Sequence, residues 1–135
     1  AARMVNYLEL SADLSVLEPS AGTGNIIDAL EGHKNITAVE LNCSLCKILS
    51  NRNEPIQQCF LEYSTEPRSF DRVIMNPPFK KIKAHINGAI NCLAPGGLLV
   101  ALVPITYDGG EVLETLSNDT FSHARVNTKI VRIYK

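Results

Sequence analysis

The segment Asn76-Pro77-Pro78-Phe79 is the part of this sequence in which residue types most directly suggest chemistry. It follows the apolar run Arg72-Val73-Ile74-Met75, which we interpret as a buried strand. Because proline has no N–H group to donate, the chain cannot continue a sheet ladder and must turn out at the strand's carboxyl end, where open α/β sheets bind ligands. An amide, freed carbonyls and an aromatic face would meet there. They could hold a flat substrate that bears an amino group; a proline-stiffened loop plugged by the phenylalanine is the alternative.

A second segment, the glycine loop (residues 18–24, Glu18-Pro19-Ser20-Ala21-Gly22-Thr23-Gly24), ends one predicted strand and leads into a predicted helix. Its two glycines would let the backbone approach a ligand closely, and the next helix offers free N–H groups. It is not a P-loop, because no Gly-Lys-Ser/Thr follows, and it lacks the third glycine of a pyrophosphate fingerprint. We therefore expect a ligand that is not a dinucleotide, with Glu18 facing a cationic or amino-bearing group. A tight turn that serves packing alone is the alternative.

Glu40 comes directly after the predicted second strand, residues 36–39. A carboxylate at a strand tip can accept two hydrogen bonds from a ribose diol, as in other nucleoside-binding α/β folds. A solvated glutamate that caps a helix is the alternative. The order of glycine loop, acidic strand tip and Asn-Pro-Pro-Phe turn favours the nucleoside interpretation over coincidence.

The remaining sequence alternates helix-like and strand-like segments. Helices are predicted at residues 4–10, 25–30, 43–51, 81–93 and 111–116. Strands are predicted at residues 15–18, 36–39, 56–60, 72–75, 98–103 and 128–134, the last as an edge strand because apolar and charged residues alternate in it. Strands separated by helices indicate βαβ units and hence a parallel, doubly wound sheet.

Composition indicates one ordinary globular domain: 135 residues, 45% hydrophobic, with a formal net charge of −1. No apolar run approaches the roughly 20 residues that span a bilayer, so no membrane partner is expected. The net charge offers no global attraction for nucleic acid. A polynucleotide contact would depend on the local cluster Lys80, Lys81 and Lys83, for which a solvated first helical turn is the alternative. We predict a single domain over residues 1–135, with a short segment missing before Ala1.

The chain has four cysteines, two of which, Cys43 and Cys46, form a CxxC pattern inside a helix-like segment. No second CxxC and no histidine pair at ligand spacing accompanies them, so no metal site is predicted. Free thiols that pack as small apolar groups are the better interpretation. Such thiols suit a reducing cytoplasm.

Together these residues resemble the S-adenosylmethionine-dependent methyltransferases, specifically the branch that methylates adenine N6. The glycine loop is similar to that family's cofactor loop, Glu40 to its ribose-binding acid, and residues 71–79 to its catalytic motif. The motif order resembles the subgroup that includes many phage and plasmid DNA adenine methylases. The resemblance covers essentially the whole chain and implies a doubly wound, mostly parallel, seven-stranded Rossmann-like methyltransferase sheet with an antiparallel edge strand.

The resemblance also implies S-adenosylmethionine as cofactor, with S-adenosylhomocysteine as its product. The implied cofactor-binding residues are Glu18, Pro19, Ser20, Ala21, Gly22, Gly24, Glu40, Leu41, Cys59, Phe60 and Asn76. The implied catalytic residues are Asn76, Pro77, Pro78 and Phe79. The Asn76 side-chain oxygen and the Pro77 carbonyl would accept the two amine protons, and Phe79 would stack on the base. Lys80, Lys81 and Lys83 would contact nucleic-acid phosphates.

Two features depart from the family pattern. The third strand usually ends in an aspartate that contacts the adenine amino group of the cofactor, whereas Cys59 stands at that place here. Phe60 can still pack on the adenine ring. No target-recognition domain follows the catalytic motif, so we expect sequence specificity to be absent or to come from a partner, either a separate specificity subunit or a second copy of the chain.

The favoured function is methyl transfer to an exocyclic amino group, with adenine N6 in DNA as the first candidate. A protein glutamine N5-methyltransferase is one alternative, although similar enzymes of that kind carry Asn-Pro-Pro-Tyr. A binding protein that keeps the cofactor fold without catalysis is another, suggested by Cys59 and the missing recognition domain.

Overall fold

A computed structural model describes residues 1–22, 24–51, 53–116 and 127–135. Its helices are α1 (Ala2–Asn6), α2 (Asn25–Ala29), α3 (Cys43–Leu49), α4 (Phe60–Tyr63) and α5 (Ile82–Cys92). Its strands are β1 (Val16–Glu18), β2 (Ile36–Ala38), β3 (Phe70–Met75), β4 (Leu93–Pro104), β5 (Glu111–Leu116) and β6 (Thr128–Tyr134). The six strands form one mixed sheet in the order β2-β1-β3-β4-β6-β5. In this described part of the chain, no helix combines the length and the apolar character needed to cross a membrane.

The central strands are apolar on both sides because helices cover both faces of the sheet. Val73 and Met75 of β3 belong to a buried cluster that includes Ile86 of α5. Ile74, which points to the opposite face, belongs to a second cluster that includes Met4 of α1. The sheet is therefore the middle of three layers, and side chains of helices pack against its strands on both faces.

The parallel part of the sheet brings the predicted loops together. Strand β1 pairs in parallel with both β2 and β3, and β3 pairs in parallel with β4. The carboxyl ends of these four strands consequently lie at the same edge. The glycine loop after β1, Glu40 beyond β2 and the Asn-Pro-Pro-Phe turn (residues 76–79) after β3 are therefore at the same edge of the sheet.

The segment of residues 111–116, predicted as a helix, is strand β5. It pairs in antiparallel register with β6, from Glu111↔Arg132 to Leu116↔Thr128. The long strand β6 is held by β4 along one side, and its other side offers a row of backbone partners that overrides the weak helical preference of this segment. Residues 128–134 were predicted to form an antiparallel edge strand. They form the antiparallel strand β6, but β5 lies outside it and is the edge of the sheet.

The predicted third strand, residues 56–60, is reduced to a single parallel bridge between Val39 and Ile56. Phe60 begins α4 instead, and both Phe60 and Tyr63 are buried in the cluster beneath α5. One helical turn puts these two rings on the same side, which strand alternation could not do. The described residues contain six strands, and this bridge lies where the resemblance implies one more strand.

Candidate active site

The glycine loop depends on backbone conformations that favour glycine. Gly22 has φ 57° and Gly24, the residue that precedes α2, has φ 96°. A side chain at either position would be strained. A Cβ built on Gly22 would meet no atom within 4 Å, so the space beside this residue is open. The loop is thus a tight strand-to-helix turn with room for a ligand next to it; Thr23, in the middle of it, lies outside the described residues.

The Glu40 carboxylate holds the glycine loop in place. Its Oε1 accepts a 2.7 Å hydrogen bond from the Gly22 amide, and its Oε2 accepts one of 2.9 Å from the Asn42 amide. The side chain is only half-buried. Because each carboxylate oxygen has a second acceptor position, Glu40 can still accept hydrogen bonds from a diol while it holds the loop.

Glu18 lies beneath the same loop and is only 1% exposed. The Ser20 amide donates a hydrogen bond of 3.3 Å to its Oε2. Burial raises the pKa of Glu18 from 4.5 to about 8, the Ser20 amide opposes that rise, and the nearby charge of Glu40 adds to it. With a pKa raised this far, Glu18 is mostly protonated at neutral pH. A cation placed beside it would favour the ionised form.

A cavity of about 290 Å³ joins the predicted segments. Its lining residues are Pro19, Ser20, Glu40, Leu41, Gln58, Cys59, Phe60, Pro78 and His85. Six of the eleven predicted cofactor residues and one predicted catalytic residue are among them. Of the others, Ala21 packs in the core beside Ile27 and donates its amide to the Val39 carbonyl, so it can contribute only backbone. A larger cavity, about 600 Å³, lies at the amino end of β2 and contains none of the predicted residues.

The Asn-Pro-Pro-Phe turn leaves the sheet where the sequence predicted, directly after β3 ends at Met75. Pro77 is buried, whereas Asn76 and Pro78 are exposed and Phe79 is 36% exposed. Pro78 lines the cavity. An amide side chain and an aromatic ring are thus available to a second molecule beside the cavity.

Comparison with known proteins identifies this architecture. Neither a protein-family model nor a curated protein matches the sequence. Among solved structures, the chain is similar to the 23S rRNA methyltransferase ErmE, with a TM-score of 0.81 at 20% identity over 99% of this chain and 66% of that one. It is also similar to TrmN from Thermus thermophilus, with a TM-score of 0.76 at 15% identity over 99% of this chain and 48% of that one. The M protein of the type I restriction enzyme EcoKI gives a TM-score of 0.72 at 18% identity over 95% of this chain and 41% of that one.

The chain has a methyltransferase fold. At these identities the likeness establishes the fold alone. The chain spans about two thirds of ErmE and less than half of the other two proteins.

Sequence reasoning missed two residues that line the cavity, Gln58 and, on α5, His85. The His85 ring is stacked on Phe60, with centroids 6.2 Å apart and planes inclined by 21°. Its Nδ1 is buried and has no hydrogen-bond partner among the described residues. Burial lowers the pKa of His85, and the positive charge of Lys81 lowers it further. No pattern in the sequence signals this histidine, because its neighbours in the cavity come from other elements.

The three predicted phosphate-contacting lysines are exposed and surround the start of α5. Lys81, which precedes that helix, has φ 62°. The positive end of the helix dipole adds to the charge of the lysines at this point. Lys80, Lys81 and Lys83 thus form an exposed basic cluster directly after the Asn-Pro-Pro-Phe turn.

All four cysteines are free thiols. Cys92 is buried and Cys59 lines the cavity. The Cys46 thiol donates to the Glu40 carbonyl at 3.2 Å, so this cysteine supports the strand tip. In the described residues, no group of three or more His, Cys, Asp and Glu side chains is arranged to hold a metal ion.

Proposed function

We propose that this protein is an S-adenosylmethionine-dependent methyltransferase that methylates an exocyclic amino group, with adenine N6 in DNA as the favoured target. One observation carries the proposal: residues from the glycine loop, the β2 tip, the start of α4 and the Asn-Pro-Pro-Phe turn line a single cavity of about 290 Å³. In this proposal the sheet is the doubly wound, seven-stranded sheet of such enzymes. The segment at Ile56 would be its third strand.

The residues that line the cavity and those of the adjoining glycine loop suit this cofactor. Open space beside Gly22 and the buried carboxyl of Glu18 suit the methionine part, which carries an ammonium group and a sulfonium. Glu40 has free acceptor positions for a ribose diol. Leu41, which is 62% exposed, and Phe60 offer apolar surface to a flat ring. When bound, the cofactor supplies an electrophilic methyl group.

The Asn-Pro-Pro-Phe turn supplies the second half of the chemistry. An exocyclic adenine amine is a poor nucleophile because its lone pair is delocalised into the ring. The Asn76 side-chain oxygen and the Pro77 carbonyl would accept its two protons, which favours a pyramidal nitrogen with a localised lone pair. Phe79 would stack on the base, a contact worth about 1–3 kcal/mol.

The transfer itself needs alignment more than acid–base catalysis. The nitrogen lone pair forms the new N–CH₃ bond, the S–CH₃ bond breaks, and the sulfonium becomes a neutral thioether. The nitrogen becomes acidic only at that stage and releases one proton to solvent. The rate would therefore come from positioning and from electrostatic stabilisation by fixed groups.

A base inside a duplex must first be extruded into such a site. In the single domain that we propose for residues 1–135, the extruded base would meet the Asn-Pro-Pro-Phe turn and the exposed Lys80, Lys81 and Lys83. Unpaired adenines in single-stranded or distorted nucleic acid avoid the cost of extrusion and are the easier substrate. A separate specificity subunit or a second copy of the chain is the proposed partner for duplex DNA.

Methyl-transfer assays with radiolabelled cofactor test the proposal. The panel is single- and double-stranded DNA, RNA and a glutamine-containing peptide. Wild-type protein should label adenine, and Asn76→Ala should abolish transfer while cofactor affinity stays within about twofold, because Asn76 acts on the amine in the transition state. Asn91→Ala, at an exposed asparagine of α5, is the matched control and should keep full activity.

Labelled peptide without labelled nucleic acid would favour the glutamine N5-methyltransferase. Cofactor binding without transfer to any substrate of the panel would favour the binding protein.

A further inference from the structure

The wall of the cavity includes the side chain of Cys59. Where the family pattern leads us to expect an aspartate, the chain has the thiol of Cys59, which is a weak hydrogen-bonding group. The adenine amino group would then enter the cavity without a strong acceptor at this place. A buried donor without a partner weakens binding, so another acceptor is required if the cavity binds adenine well.

His85 is a suitable acceptor. It lines the same cavity as Cys59 and Phe60, and its ring is stacked against the Phe60 ring at a centroid distance of 6.2 Å. The stack fixes the plane of the imidazole. A rotation of 180° about the Cβ–Cγ bond keeps that plane and exchanges Nδ1 with Cδ2 and Nε2 with Cε1, so the same stack allows either placement of the two ring nitrogens.

The protonation state of His85 fits an acceptor. Burial, followed by the charge of Lys81, lowers its pKa, so the ring is neutral at physiological pH. A neutral imidazole has one N–H donor and one bare nitrogen acceptor. Buried polar atoms in folded proteins almost always have a partner, yet Nδ1 of His85 has none among the described residues. Nδ1 as placed is shielded, and an orientation of the ring that turns a bare nitrogen toward the cavity would give that nitrogen a partner in a bound ligand.

We propose that His85 recognises the adenine of the cofactor: a bare ring nitrogen accepts a hydrogen bond from the 6-amino group, in place of the aspartate that Cys59 replaces. The inference rests on the proposed function, since it requires an adenine nucleoside in this cavity. His85 is thus a specificity-determining residue for the cofactor base. It takes no part in the transfer itself.

The test compares two ligands in wild-type and variant proteins. S-adenosylhomocysteine carries the amino group, and its 6-oxo analogue S-inosylhomocysteine does not. Calorimetry on the wild-type protein should give an affinity at least about tenfold higher for the adenosyl compound. His85→Phe keeps a ring on Phe60 without an acceptor, and the preference should fall to within about twofold. His85→Asn, which restores an acceptor oxygen, should recover part of it.

Gln58→Leu is the matched control, because Gln58 is an uncharged polar side chain of the same cavity that lies next to Cys59 in sequence and could act as an acceptor. It should keep the tenfold preference. Loss of the preference in Gln58→Leu, or its retention in His85→Phe, would overturn the assignment to His85. If His85→Phe does not fold, the ring-nitrogen chemical shifts of His85 in the wild-type protein provide the test. They should change when S-adenosylhomocysteine binds and stay the same when S-inosylhomocysteine binds. Equal changes with both compounds would overturn the assignment.

Binding of the two compounds to the wild-type protein distinguishes failure of the proposed function from failure of the role of His85. A wild-type protein that binds neither compound would contradict the proposed function and, with it, the role of His85. A wild-type protein that binds both equally well would leave the proposed function standing and overturn only the role of His85.

Discussion

The backbone amide of Gly22 donates a 2.7 Å hydrogen bond to Oε1 of Glu40, and this bond ties the loop after β1 to the tip of β2. The other carboxylate oxygen accepts from the Asn42 amide. Glu40 therefore shapes the site before any ligand arrives. If Glu40 also binds a ribose diol, as we propose, a substitution at this position would affect stability and binding together.

Replacing Glu40 should therefore change both cofactor binding and stability. Glu40→Ala should weaken S-adenosylmethionine binding by roughly 1.5–3 kcal/mol, the range for hydrogen bonds to a charged group, and should lower the free energy of unfolding because the Gly22 amide loses its partner. Glu40→Gln keeps one acceptor oxygen and should lose less of both. Calorimetry measures the binding, and urea denaturation measures the stability. Glu66→Ala, at an exposed loop glutamate, is the control; an affinity unchanged in Glu40→Ala would exclude Glu40 from the ribose site.

The buried Glu18 should make stability depend on pH. Its folded-state pKa of about 8 lies above the usual 4.5, so between these values the native state binds one more proton than the unfolded state. The free energy of unfolding should therefore fall as pH rises, by roughly 3–4 kcal/mol from pH 5 to pH 8. Glu18→Gln should remove this dependence and be the more stable protein at pH 8. Urea denaturation at both pH values checks it, and parallel curves for the two proteins would contradict the assignment.

Cys59 precedes the short helix α4 and makes no side-chain hydrogen bond to its first turn. Serine and aspartate are good residues at such a position, so Cys59→Ser and Cys59→Asp should each stabilise the protein by about 0.5–1 kcal/mol. Only Cys59→Asp adds a charged acceptor at the adenine end of the cavity, and only it should tighten cofactor binding. Thermal unfolding and calorimetry measure the two effects. Equal affinities for the two variants would show that position 59 does not contact the adenine amino group.

The lysines after the Asn-Pro-Pro-Phe turn should contribute the salt-sensitive part of nucleic-acid binding. Lys80→Gln, Lys81→Asn and Lys83→Gln should each reduce the slope of log affinity against log salt by about 1 for a single phosphate contact. Asparagine is chosen at position 81 because it tolerates the left-handed conformation there. Fluorescence anisotropy with a single-stranded oligonucleotide over a salt series measures the slope. Lys47→Gln, at an exposed residue of α3, is the control, and a slope shared by all four variants and the wild type would rule out these contacts.

Much of the site could be predicted from local chemistry. Positive φ angles at Gly22 and Gly24, and the exit of the chain from the sheet at Pro77 and Pro78, follow from properties of the residues themselves. Parallel strands place their carboxyl ends together, so the order of motifs along the chain was sufficient to make Glu40 a neighbour of the glycine loop. The hydrogen bond from Gly22 to Glu40 is the outcome of that arrangement.

Three features depended on the tertiary structure. Residues 111–116 form a strand because β6 supplies backbone partners, and Phe60 begins a helix because its ring and that of Tyr63 are buried beneath α5. His85 reaches the cavity because α5 packs beside α4 and brings its ring onto Phe60. A turn of glycine or proline is decided by the dihedral limits and hydrogen-bonding groups of a few residues. A pairing edge or a stacked ring is decided by partners distant in sequence, which no local pattern identifies.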